Sequence, residues 1–290
     1  MVQPAVTPTK VSDKVTLIIA AILLVPALVT AFFVVEVLAG LPRAIEVAPA
    51  ENRTRATVIV PAHDEELVLG PTLEMLSSAL PAGGEILVVA DNCTDRTAQV
   101  ARRMGVRVVE RQDSERRGKG FALAFARDTL AADPPEVVVI VDADCTIDAV
   151  SLGTLVGVAA SSGDPCQSIN LLRPAPGASP MVQISTFAFM LKNLVRQRGL
   201  QRLANRVHLT GTGMALPWRF FAAADLASAS IVEDIRLGFE LAEAGAPPRL
   251  VHGATIWSHP SGAGGTLVQR RRWEGGYLAM ARQVAPRALA

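Results

Sequence analysis

The chain has 290 residues, half of them apolar, with 28 Lys and Arg against 27 Asp and Glu. That length accommodates one α/β domain of about 200 residues plus a membrane element, and it excludes two independent large enzymatic domains. A formal net charge of +1 gives no global field for holding a polyanion, so nucleic acid is not an expected partner and any phosphate must be held locally.

Residues 1–14 read as an N-terminal tail. From Val15 to Gly40 the sequence VTLIIAAILLVPALVTAFFVVEVLAG carries one charge, Glu36, and exceeds the ~20 apolar residues that cross a bilayer. A secretory signal has a shorter apolar core, roughly 7 to 15 residues, before a small-residue cleavage site, so the expectation over 15–40 is a transmembrane helix. Pro26 is compatible with that, and Glu36 falls near one end, where a carboxylate reaches the interface. Lys10 and Lys14 flank one side and Arg43, Arg53 and Arg55 the other, which leaves the orientation open.

After a linker over 41–55, Val- and Ile-rich runs alternate with helical patterns through 56–262. TVIVP (57–61), EILVVAD (85–91), VRVVER (106–111) and VVVIVDAD (137–144) predict strands, and their nearly continuous apolarity is what a sheet buried on both faces requires. Helices are predicted at Pro71–Ala79, at Thr94–Met104 before Gly105, and at Gly120–Ala131. The repetition predicts a mostly parallel, doubly wound α/β sheet flanked by helices, with ligands beyond the carboxyl ends of the strands.

Three polar clusters end strands there: His63-Asp64-Glu65-Glu66, Asp91 to Asp95, and Asp142-Ala143-Asp144. Any one could merely cap a helix; three on one sheet edge point to a site. No strand-to-helix turn carries G-x-G-x-x-G or a Walker loop, which disfavours dehydrogenases and P-loop enzymes. Asp142 and Asp144, alternate residues at a strand end, suit one hard cation, Mg2+ or Mn2+, bridging a diphosphate. Arg117-Gly118-Lys119-Gly120 precedes a helix and reads either as a flexible turn or as a point charge for a phosphate.

HLTGTGMALP (208–217) reads as a packed turn or as an acceptor-side loop. Glu233 and Asp234 open a helix that Gly245 stops; they either favour its positive N-terminus or supply a general base to a hydroxyl. His259 is a structural histidine or a third metal ligand. Over 263–290 an amphipathic helix is expected, on which Gln269, Arg272 and Trp273 share a face suited to phosphate and to a flat ring, or to anionic lipid. Cys93, Cys145 and Cys166 lack C-x-x-C spacing and the four histidines lack paired spacing, so neither a disulfide framework nor zinc is expected.

Taken in order, VIVPAHDEE, VVADNCTD, RGKG, VVDADC, VEDIRLGFEL and QRRRW resemble the inverting family 2 glycosyltransferases. The branch they are most similar to is the membrane-bound one containing cellulose, chitin and hyaluronan synthases and ceramide glucosyltransferase. The resemblance covers Thr57 to Trp273 and implies a GT-A fold. It further implies that Pro61, Ala62, His63, Glu65 and Asp91 hold the base and ribose of a UDP-sugar, with Lys119 supporting the nucleotide. Asp142 and Asp144 would bind the metal-diphosphate, Asp144 most directly, and Asp234, beside Glu233, would be the catalytic base. Gln269, Arg272 and Trp273 would line the diphosphate and acceptor entrance.

The expected activity is metal-dependent transfer from a nucleotide-diphospho-sugar to a lipid-linked or saccharide acceptor. It would take place at a membrane, the plasma or inner membrane in a bacterium, with the catalytic domain facing the cytoplasm. Relatives in that branch continue into further transmembrane helices, so the sequence to Ala290 is either a piece of a longer chain or builds its membrane surface from one span and the 264–287 helix, and whether transfer is processive or single stays open. Two alternatives remain: a catalytically inactive nucleotide-sugar-binding assembly subunit, and a sugar-phosphate nucleotidyltransferase. The latter ordinarily carries a Gly-rich loop where this chain reads PAHDEE.

Overall fold

A computed structural model describes residues 13–42, 54–228, 232–260 and 275–276. The helix expected over 263–290, with Gln269, Arg272 and Trp273, lies outside the described residues apart from Gly275 and Gly276, as does most of the linker.

Helix α1 (Asp13–Gly40) is long and apolar enough to cross a membrane over Val15–Gly40, and its most apolar 18-residue window has a mean hydropathy of 2.9 and is unburied. The body follows as β1 (Ala56–Ala62), α2 (Leu69–Ala79), β2 (Glu85–Asp91), α3 (Thr97–Arg103), β3 (Arg107–Arg111), α4 (Lys119–Leu130) and β4 (Val137–Ile140). Next come β5 (Cys145–Ile147), α5 (Ala149–Ser162), β6 (Cys166–Leu172), α6 (Pro180–Met190), a π-helical turn over Leu191–Arg196, and α7 (Gln197–Ala204). The last elements are β7 (Met214–Pro217), α8 (Trp218–Ala223), α9 (Glu233–Glu243) and β8 (Arg249–Ser258).

The eight strands form one sheet in the order β3-β2-β1-β4-β7-β6-β8-β5. β1 pairs parallel with β2 and β4, and β2 with β3. β7 enters antiparallel between β4 and β6, while β6 and β8 are again parallel. Side chains alternate between the two faces along each strand. Val58 and Val60 therefore join Leu69, Leu73, Leu76, Leu152 and Leu155 in one core, while Ile59 turns to Leu123, Leu130, Leu216 and Phe221 in the other. Burial on both faces is the physical reason these strands read as unbroken apolar runs.

Two boundaries differ from expectation. β4 stops at Ile140 because the Asp142 N–H turns to the Thr212 hydroxyl at 3.1 Å instead of continuing the ladder. α3 begins at Thr97 because the Thr94 and Asp95 amides donate to the Asp64 carboxylate at 2.6 and 3.3 Å.

The long helix α6-π-α7 ties α1 to the body. Gly40 packs on the backbone of Val195 and Gly199 on that of Glu36, so closely that a Cβ at either glycine would overlap the facing carbonyl oxygen. Arg196 pairs with Glu36, and Arg202 donates to the carbonyls of Ala39 and Pro42, satisfying acceptors left over at the end of α1.

Candidate active site

The carboxyl ends of β1, β2 and β4 bring the three acidic clusters to one edge. Asp64 and Asn92, just beyond β1 and β2, hold left-handed backbones with φ of 54° and 53°, a conformation that Asp and Asn tolerate better than most residues. The Asp95 carboxylate fastens the turn by accepting from the amides of Glu66 and Thr97 at 3.0 and 2.9 Å. Asp64, Cys93 and Asp95 have ligand atoms within 4.8 Å of one another. Both carboxylates are occupied by those backbone amides, however, so this group acts as a fastener of the two loops.

Asp91 is buried, and Arg111 at the end of β3 donates to it at 2.6 Å while also bonding Asp113 at 3.0 Å. The parallel register sets Asp91 against Arg111. Sequence reading took Arg111 as an ordinary strand residue; only the strand alignment reveals that it neutralises Asp91. His63 is exposed at its tip, and its Nδ1 lies 2.8 Å from the Asp91 carbonyl. Pro61 and Glu65 are half-buried beside buried Ala62.

Lys119 opens α4, and its ammonium donates to the Asp142 carboxylate and to the Gly211 carbonyl at 2.7 Å. Burial alone would depress this ammonium; the carboxylates of Asp142, Glu233 and Asp234 outweigh it and hold the group above its ordinary value. Gly211 has φ +82°, and a Cβ there would stand 3.4 Å from Asp234 Oδ2 and 3.6 Å from Lys119 Nζ. The 208–213 loop is thus a packed turn beside Lys119 and Asp234, which is the first of the two readings of HLTGTGMALP. Buried Gln167 holds it, accepting from the Thr210 N–H at 2.9 Å and donating to the Thr212 carbonyl at 2.9 Å. Gln197 of α7 clamps His208 through both of its backbone groups. Neither glutamine was marked by any sequence pattern beyond being polar within an apolar element.

Asp234 lies in the first turn of α9 and is half-buried. Burial and then the neighbouring Glu233 push its carboxyl up to about 7, against the opposing pull of the Ile235 amide and Lys119. A carboxylate poised near neutrality suits a general base.

Asp144 is exposed at the same edge. Glu65 is raised by burial and then by the charges of Asp144 and Asp142, which places the three carboxylates along one edge, while Asp142 is already engaged by Lys119. All-oxygen donors with Asp144 facing solvent fit a hard divalent cation. The antiparallel register Cys145↔Ser258 brings exposed His259, the next residue, to the level of Asp144. The three cysteines are free, and burial pushes the Cys145 and Cys166 thiols up to about 12, which leaves them unreactive.

Residues 54–276 match the family described as glycosyltransferase-like family 2. An uncharacterised glycosyltransferase of Mycobacterium tuberculosis is 39% identical over 100 residues, which is 34% of this chain and 41% of that protein. The chain therefore spans well under two thirds of this relative's length. A dolichyl-phosphate hexose transferase of Haloferax volcanii is 34% identical over 89 residues, covering 31% of this chain and 36% of the relative. Among solved structures, a mannosyltransferase of Pyrobaculum calidifontis in complex with GDP-Man and Mn2+ has a TM-score of 0.59 at 21% identity, covering 82% of this chain and 68% of that one. The glucosyl-3-phosphoglycerate synthase of M. tuberculosis, in complex with Mn2+, UDP and phosphoglyceric acid, has a TM-score of 0.57 at 21% identity, covering 82% and 84%. At that identity the likeness carries the fold, which is GT-A-like.

Proposed function

The chain belongs to glycosyltransferase-like family 2, and from that premise we propose that it transfers a sugar from a nucleotide-diphospho-sugar, a UDP-sugar, to a lipid-linked or saccharide acceptor with inversion. The observation that carries the proposal is the meeting of Lys119, Asp142 and Asp234 around Gly211, with Asp144 exposed beside them.

In this reading Asp234 takes the proton of the acceptor hydroxyl as that oxygen attacks the anomeric carbon. Its carboxyl near 7 is basic enough to accept the proton and is partly ionised at neutral pH. Glu233 keeps Asp234 basic by repulsion, and Lys119 holds the nucleotide side of the donor. Pro61, Ala62, His63, Glu65 and Asp91 surround base and ribose, with the Arg111 ion pair fixing Asp91. Asp144, with Asp142, would hold Mg2+ or Mn2+, which when bound neutralises charge on the departing diphosphate. Gln269, Arg272 and Trp273 are assigned to the diphosphate and acceptor entrance on the family resemblance.

α1 anchors the enzyme in the membrane, and the catalytic domain faces the cytoplasm, where nucleotide sugars are available. In a bacterium this is the plasma or inner membrane. The deciding experiment measures nucleoside diphosphate release by detergent-purified protein with UDP- and GDP-linked sugars, Mg2+ or Mn2+, and membrane lipid extract. Metal-dependent release from one donor is the expected result; tight donor binding without release under every condition would replace transfer by the assembly-subunit reading. Protease accessibility of the body in sealed vesicles checks the sidedness.

A further inference from the structure

The 208–213 loop has no regular structure of its own, yet its Gly211 carbonyl meets the Lys119 ammonium at 2.7 Å and Asp234 Oδ2 stands within contact of the same glycine. Its place is set by what grips it. On one side it leans on α9, the helix that carries Asp234: a Cβ at Gly238 would stand 3.6 Å from Leu209, and the His208 ring lies 6.3 Å from that of Phe239. On another side is Gln197, the first residue of α7, which is 2% exposed. Its Nε2 donates to the His208 carbonyl at 2.8 Å and its Oε1 accepts from the His208 N–H at 3.0 Å. A carboxamide carries a donor and an acceptor side by side, so it closes on both backbone groups of one residue as a neighbouring strand would.

Gln197 is itself held still. Val195 and Gly199, on either side of it, lie against the α1 backbone, and Arg196 pairs with Glu36. A second glutamine one turn along shows what the same chemistry does away from the site. Gln201 Oε1 accepts from the Leu250 N–H at 3.0 Å and its Nε2 donates to Asn205 Oδ1 at 3.0 Å, which ties α7 to the start of β8. Both glutamines fasten the fold. Gln197 does so three residues from the glycine that touches both Lys119 and Asp234. Since a misplacement of about 1 Å can cost about 10² in rate, a clamp this near the reacting groups governs turnover as well as stability.

We propose that Gln197 is a positioning residue for the transfer reaction: by gripping both backbone groups of His208 it sets where the Gly211 carbonyl stands between the Lys119 ammonium and the Asp234 carboxylate. The inference rests on the glycosyl-transfer reading above. Buried as it is, Gln197 acts through the loop and not by touching a substrate.

The test uses the full chain purified in detergent, with nucleoside diphosphate release measured on UDP- and GDP-linked sugars in Mn2+ and membrane lipid extract, and nucleoside diphosphate binding titrated separately. Gln197→Met keeps the length of the side chain and removes both bonds; Gln201→Met does the same to the second tie. Gln197→Met should lower kcat about tenfold or more, with donor KM and nucleotide affinity changed less than about threefold. Gln201→Met, with a similar fall in melting temperature, should keep kcat within about twofold. Added to Asp234→Asn, Gln197→Met should cost less than about a further threefold, because the group it positions is already gone. Amide hydrogen exchange over 208–212 should quicken in Gln197→Met and stay as in wild type in Gln201→Met. If Gln197→Met does not fold, Gln197→Glu, which still accepts from the His208 N–H, takes its place with the same expected split between kcat and donor affinity. An active wild type whose kcat is unmoved by Gln197→Met, or lowered equally by Gln201→Met, overturns the inference and leaves the transfer reading standing. So does an undiminished loss in the Asp234→Asn background. A wild type that releases no nucleoside diphosphate from any donor removes the transfer reading, and the inference with it.

Discussion

The two halves of the sheet are held together differently. From β1 to β4 the ladder is wholly parallel, and its loops are wired by charged side chains: the Asp64 and Asp95 carboxylates accept from the backbone amides of Thr94 and Glu66, and the Arg111 guanidinium donates to the Asp91 carboxylate. From β7 onward the pairing is mixed, and the turns are held by neutral amides such as Gln167 and Gln197. That half also carries the exposed apolar face of α6. Under the proposed transfer, a donor alike for every turnover would suit the rigid polar half, and the acceptor would approach from the other. The halves join where β4 meets β7, and there Lys119, Asp142, Gly211 and Asp234 converge.

Substitutions at the seam should therefore cost the most. Asp144→Asn is expected to lower nucleoside diphosphate release about 10³-fold or more, since stabilising leaving-group charge is the main task of such a site. Its thermal unfolding should stay within about 0.5 kcal/mol of the parent because the side chain is exposed; near-normal turnover by folded protein would remove the metal assignment.

Asp234→Asn should cost about 10² to 10⁴ in turnover and separate catalysis from stability. The folded carboxyl, near 7, lies above its ordinary 3.8. Its contribution is therefore full below about pH 4 and is lost as pH rises through about 7, because the native state keeps a proton the unfolded chain has released. Wild-type activity should rise with pH over the same window. The Asn variant should unfold at a higher temperature than wild type at pH 8, with the gap closing toward pH 4. A variant equally destabilised at both values would show that Asp234 is an ordinary structural acid.

Gly211→Ala tests the seam's geometry without changing its charge. Its φ of +82° strains any residue with a Cβ, and the new atom would stand in van der Waals contact with Asp234 and Lys119. A loss of about 1 to 3 kcal/mol in stability and about 10² in turnover is expected from unfolding curves and steady-state rates. The smallest effect belongs to the donor half alone. Asp64→Ala frees the Thr94 and Asp95 amides, which should raise the donor KM up to about tenfold with kcat nearly unchanged. A fall in kcat instead would mean that the two halves are not separable.

The parallel half was legible in the sequence because strands buried on both faces are apolar through their centres, as VIV, ILVVA and VVVI are in β1, β2 and β4. β6 escaped because Gln167, Ser168 and Asn170 are buried polar residues that interrupt any apolar pattern. β5 and β7, at three and four residues, are too short to show a period. Of the site, the carboxylates were visible because acids at strand ends are chemically conspicuous. Arg111 was not, since its partner Asp91 is fixed by strand register. Gln197 was not either, since its partner His208 is reached only through the return of α7 to the loop. α6 carries no charge and little amphipathic contrast, so its exposure became visible only once the body was assembled without it in the core.

The glycine crossing of α1 and α7 makes the long apolar helix a strut and not a tether. At 1.5 Å per residue the 26-residue apolar stretch is about 39 Å long, more than the ~30 Å of hydrocarbon in an ordinary bilayer. With α1 in such a bilayer, the excess is taken up by tilt. A flexible linker would absorb that tilt; contact between backbones at Gly40 and Gly199 transmits it. The catalytic body then leans by the same angle, and the thickness of the surrounding lipid sets how far the carboxylate edge stands from the head groups.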